Sequence, residues 1–187
     1  MGYRVEEKWL SEYDQDKHCD LLESYFDDYK KYLLSLSKGQ QRKECVSGYN
    51  RMKRVKYWSC DALNISVEVG DICFIEYGQV FINEAGYQHF GLVVSQFNHK
   101  LLVVPMTSND EAVRQARNVI DEGKEHLYYI GKVEGLNKPS VLFLNDCKFI
   151  NSCRIISVNG HISPRSRMFK EICQCLKEGI SSGAVVK

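Results

Sequence analysis

Residues 87–107 read YQHFGLVVSQFNHKLLVVPMT, and two apolar runs in this stretch, Phe90–Val94 and Leu101–Val104, decide the fold. Both are short and rich in β-branched residues, and between them lies Gln96-Phe97-Asn98-His99-Lys100. Asparagine tolerates the left-handed backbone of a tight turn, so the segment is predicted to be a β-hairpin. His89 stands at the mouth of the first strand, and the second strand closes on Pro105-Met106-Thr107-Ser108. A polar, titratable side chain opening onto a buried strand needs a reason.

Working outward, Ile72–Ile75, Leu127–Ile130, Val141–Leu144 and Ile155–Val158 have the same character, with the turn-rich segment Gly135–Pro139 among the separators. Strands at this spacing predict an antiparallel all-β barrel or sandwich. The polar stretch 111–125 is either a short helix or a mobile loop.

Helical patterns stand at the two ends. Leu22, Tyr25, Phe26, Tyr29, Leu33 and Leu36 recur at intervals of three and four, predicting an amphipathic helix over 14–36, capped by Asp14 or Asp16 and ended by Gly39. The basic stretch after it is read as a connection holding one short helix that ends near Trp58. Ser163 followed by Pro164 predicts the start of a last helix, in which Met168, Ile172, Cys175 and Leu176 form the apolar face. Residues 1–60 are thus expected to be a helical extension with a basic linker, and 61–187 a barrel domain.

With 44% hydrophobic and 26% charged residues in 187, the chain suits one ordinary globular core, neither fibrous nor disordered. The net charge of +1 conceals a polarity, because residues 1–37 are acidic and 38–56 basic. No apolar stretch approaches the roughly 18–20 residues of a membrane span, and the N-terminus has no signal-like apolar region, so a soluble, cytoplasmic protein without a membrane partner is expected. The eight cysteines are scattered, with no C-x-x-C pair, which favours reduced thiols over disulfides or a metal site.

Taken in order, GDICFIEYG (70–78), NEAGYQHF (83–90), GLVVS (91–95), LLVVPMTS (101–108) and SVLFLNDCKFINSCRI (140–155) before ISPRSRMFKEICQCL resemble the MazF/PemK-type toxin endoribonucleases over residues 69–178. The resemblance implies an SH3-like small antiparallel β-barrel with a C-terminal helix, here preceded by an α-helical N-terminal extension. It also implies a homodimer, an antitoxin protein as partner, autoregulatory DNA binding, and cleavage of single-stranded RNA (mRNA) with no metal or other cofactor. The RNA's own 2′-hydroxyl attacks, leaving a 2′,3′-cyclic phosphate and a 5′-hydroxyl. Such a reaction needs a proton acceptor, a proton donor, and hydrogen-bond donors facing the phosphate.

The family's catalytic arginine, followed by proline, aligns with His89-Phe90. Histidine exchanges protons near neutral pH, whereas arginine is a permanent phosphate clamp, so the replacement keeps acid–base capacity and loses a fixed charge. The competing reading of His89 is a strand-edge ring satisfied by a backbone carbonyl. Thr107 matches the family threonine that holds the scissile phosphate, with Ser108 as a second donor. Glu84, Gly86, Tyr87 and Gln88 fall in the loop bordering the RNA groove, and Lys148 and Arg154 where basic residues hold phosphates. The basic segment Arg42–Lys56, interleaved with Tyr49 and Tyr57, is either an RNA track or a solvated linker. The acidic helix either restrains the barrel in cis or simply packs. A non-catalytic RNA- or protein-binding module is the alternative to the nuclease.

Overall fold

The structure is a computed structural model that describes residues 18–117 and 126–181, falling into two compact units, the first ending at Cys45 and the second beginning at Val46. The proposed caps Asp14 and Asp16 lie outside the described residues. Among those described, no helix is long and apolar enough to cross a membrane.

In the first unit, helix α1 (His18–Ser35) ends before Gly39, because a new helix, α2 (Lys38–Arg54), starts there. Ser37 caps α2: its Oγ accepts from the Gln40 N–H at 3.4 Å, and Gln40 Oε1 accepts from the Ser37 N–H at 3.2 Å. This reciprocal capping box fixes the break that the glycine was expected to make. Glu44 on α2 is buried, and the hydroxyls of Tyr29 and Tyr32 reach it at 3.4 and 3.5 Å.

The second unit is built on antiparallel strands β1 (Asp71–Gly78), β2 (Tyr87–Phe97), β3 (Lys100–Thr107), β4 (Leu127–Gly131), β5 (Ser140–Phe143), β6 (Lys148–Asn151) and β7 (Ile155–His161). Their order is β4-β5-β3-β2-β1-β7, with β6 also on β3. The predicted hairpin joins β2 to β3, and Asn98 and His99 both have positive φ, at 44° and 63°, as a two-residue turn demands. On its other edge β3 pairs with β6 at 100–103 and with β5 at 106–107. Pro105, with no N–H to give, falls in the gap between these two ladders. Irregular registers at Val93/Ser95 in β2 and at two places along β1–β7 bend the sheet into a barrel-like form.

The bend explains why β2 and β3 are apolar on successive residues: both faces are covered. Cys73, Ile75, Tyr77, Val93, Leu101, Val103, Ile150 and Ile155 form the inner core. Ile72, Leu92, Val104, Met106 and Leu142 form the outer one, covered by α4 (Arg167–Ser181) through Phe169, Ile172 and Leu176. The numbering counts α3 (Asp110–Arg117) in the polar stretch; the rest of that stretch, 118–125, lies outside the described residues.

Two further sequence expectations are corrected. Ser163 does not cap the last helix; Ser163–Ser166 makes a turn, and Ser166 Oγ accepts from the Phe169 N–H at 3.2 Å. The stretch 38–54 is not a loose connection but one 17-residue helix. Its second half is fastened to the strands by polar groups, which a search for apolar periodicity passes over. Cys45, Cys60, Cys73, Cys147, Cys153, Cys173 and Cys175 are free thiols, and burial pushes the Cys73 thiol up to about 12.

Candidate active site

The ends of β1 and β3 and the start of β2 meet at one end of the sheet. Gly91 pairs with Pro105 across β2 and β3, and Ile75 pairs with His89 across β1 and β2. Side chains on paired residues share a face, and every second residue returns to it. His89 stands two residues before Gly91 and Thr107 two residues after Pro105, so both lie at the end of the sheet where this pairing stops; His89 pairs with Ile75 of β1, and Thr107 with Val141 of β5. His89 and Thr107 are both half-buried.

The His89 ring is tied down: Nδ1 is hydrogen-bonded to the Gly86 carbonyl. A carbonyl only accepts, so Nδ1 carries the proton, and in the neutral ring Nε2 is left with a lone pair. The expectation of a ring satisfied by a backbone carbonyl is met at Nδ1, and this bond leaves Nε2 unused by it. Gly86 is fixed by space: a Cβ there would lie 2.0 Å from Val80 Cγ2. Gly91 is fixed likewise, since a Cβ would lie 2.2 Å from Tyr77 Oη. That oxygen is buried with no hydrogen-bond partner among the described residues, and burial, with Asp146 nearby, raises the phenol's pKa.

Thr107 Oγ1 accepts from the Asn109 N–H at 3.2 Å, which leaves its own proton to donate. Asn109 Oδ1 in turn caps α3, accepting from the N–H groups of Glu111 and Ala112 at 2.9 and 3.3 Å. Ser108, between them, is exposed. In the loop before β2, Glu84 is exposed, while Tyr87 is half-buried with φ of 54°. Gln88 Nε2 donates to Glu76 Oε2 at 2.5 Å.

The two basic candidates have partners. Lys148 pairs with Asp146 at 2.7 Å and lies 5.7 Å from the centre of the Tyr77 ring. Arg154 Nη1 donates to the carbonyls of Glu76 and Tyr77 at 3.2 and 2.6 Å, so this nitrogen braces the end of β1.

Sequence reasoning passed over Asp146 and Glu76. Asp146 Oδ2 accepts from the Ala85 N–H at 2.6 Å, anchoring the loop that supplies the Gly86 carbonyl. Glu76 is 4% exposed and collects four donors. Its one visible signal is a lone acidic residue inside the apolar run CFIEY.

No family model and no curated protein matches the chain. Among solved structures it is similar to MazF from Deinococcus radiodurans, at 14% identity over 61% of this chain and 96% of that one, with a TM-score of 0.46. The toxin MazF-mt6 of Mycobacterium tuberculosis gives 16% identity over 60% and 93%, with a TM-score of 0.38. MazE–MazF from Deinococcus radiodurans gives 14% over 61% and 95%, with a TM-score of 0.42. The chemistry of the site has to be sought in this chain's own side chains.

Proposed function

We propose that this chain is a metal-independent endoribonuclease of the MazF/PemK toxin type, acting on single-stranded RNA with His89 as general base and Thr107 as phosphate-binding donor. One observation carries it: the Gly86 carbonyl holds His89 in the tautomer whose Nε2 accepts a proton, at the strand ends where Thr107 presents a hydroxyl. His89 Nε2 takes the 2′-hydroxyl proton, the 2′-oxygen bonds to phosphorus, and the P–O5′ bond breaks. A 2′,3′-cyclic phosphate remains, and the departing 5′-oxygen takes a proton from solvent. Thr107 donates to a non-bridging oxygen as charge builds on it, and Lys148 supplies the cation that the imidazole lacks. The loop 79–88, with Glu84, Gly86, Tyr87 and Gln88, borders the RNA, and Ser108 flanks the phosphate. A homodimer and a protein antitoxin are the partners this function implies.

The purified chain, given single-stranded RNA in the presence of a chelator, is expected to produce 5′-hydroxyl and cyclic-phosphate ends. Thr107→Val is expected to lower the rate by about 10²–10³, the usual cost of one lost transition-state donor. Binding without cleavage would identify a non-catalytic RNA-binding module instead.

A further inference from the structure

Glu76 is, with Glu44 and Asp71, one of the buried carboxylates among the described residues that the proposed chemistry leaves unused, and it alone sits beside the strand that carries His89, with donors on both of its oxygens. Oε1 accepts from Ser47 Oγ at 2.7 Å and from the Gly78 N–H at 3.0 Å. Oε2 accepts from Asn50 Nδ2 at 2.7 Å and from Gln88 Nε2 at 2.5 Å. The four donors are neutral and come from three segments: helix α2, the last residue of β1, and the start of β2. A buried carboxylate is expensive, and an apolar side chain of similar size would fill the space at less cost. What an apolar side chain cannot do is fix the direction of three chain segments at once.

Those segments converge on His89. Glu76 pairs with Gln88 in the β1–β2 ladder, and Gln88 is the residue before His89. Gly78 opens the loop that ends in Gly86, whose carbonyl sets the tautomer of the ring. A second strut runs parallel to the first. Arg54 Nη1 on α2 donates to the carbonyls of Cys153 and Ile155 at 3.0 and 2.6 Å, on either side of Arg154, which itself holds the carbonyls of Glu76 and Tyr77.

We propose that Glu76 is a positioning residue for the candidate site, and that Ser47 and Asn50 of α2 act through it to hold the His89 ring in its proton-accepting tautomer. The inference builds on the nuclease function proposed above but is read out separately from it. In the full chain, Ser47→Ala/Asn50→Ala removes both helix donors without touching any residue placed near RNA. With histidine labelled in 15N, the His89 ring is expected to change from Nδ1–H to a mixture of tautomers. The kcat for RNA cleavage is expected to fall about ten- to a hundredfold, the scale of a misplaced reacting group, with KM unchanged to within about twofold. Ser47→Thr, which keeps the hydroxyl, is expected to behave as the native chain. A folded double variant with the native tautomer would overturn the proposal, whether or not the chain cleaves RNA. An altered tautomer in a chain that cleaves nothing would support the positioning role and refute the nuclease. Should the double variant not fold, Ser47→Ala alone decides by the same tautomer criterion.

Discussion

Two helices are fastened to the strands of the second unit in opposite ways. Helix α4 lays Phe169, Ile172 and Leu176 into the outer core, each nearly or wholly buried among apolar side chains. Helix α2, from residue 46 on, is fastened by Ser47, Asn50 and Arg54, all of them polar and all aimed at a buried carboxylate or at backbone carbonyls. Apolar contact is non-directional and scales with area, so α4 can adjust by small sliding. Hydrogen bonds fix direction and are costly when half-made, so α2 is either in register or badly misplaced. A covering helix needs only the first kind of attachment; a helix that holds a reactive ring in place needs the second.

The contrast can be broken from either side. Ile172→Ala, at a wholly buried position, is expected to cost about 2–5 kcal/mol in urea unfolding while the His89 tautomer stays native. A variant that lost the tautomer before stability would make α4 part of the site. Asn50→Ala leaves one carboxylate oxygen short of a donor and is expected to cost about 1–3 kcal/mol, with the opposite effect on the ring.

The apolar interior must also keep its own titratable groups neutral. Burial, with Asp71 and Cys60 nearby, pushes the Cys73 thiol up to about 12, and Tyr77 is raised as well. A raised pKa in the folded state means stability is intact below the unfolded value, about 8.5 for a thiol, and is lost as pH climbs toward the folded one. Denaturant unfolding at pH 10 is expected to show roughly 2 kcal/mol less stability than at pH 7, and Cys73→Ser, which has no proton to lose in this range, is expected to remove most of that difference. The smallest effect falls at the start of α4, where Ser166→Ala removes a cap worth about 1 kcal/mol.

What the sequence disclosed follows the same division. The hairpin, the C-terminal helix and the strands were legible because apolar residues repeat with the period of the element that buries them. Ser47, Asn50 and Arg54 recur with equal regularity along α2, but polar residues at that spacing look like any solvated face, and their partner, Glu76, lies 26 positions beyond Asn50. The start of α4 was misjudged because Ser163-Pro164 and Ser166 carry similar capping chemistry, and only the backbone path chooses between them. Gly39 was taken as a helix end, since a capping box two residues earlier is weaker to the eye than a glycine. At the site, His89 and Thr107 were singled out by the resemblance of the ordered motifs, whereas the Gly86 carbonyl that sets the tautomer depends on a loop whose path is shaped by Asp146.

The central claim is that the His89 ring accepts the proton that starts RNA cleavage. Induction of the native chain and of His89→Ala in a bacterial host, followed by mapping of RNA 5′-ends, tests it most directly. Growth arrest and discrete new 5′-hydroxyl ends with the native chain, both absent with the folded variant, are the expected result. Identical end maps from the two chains would contradict it.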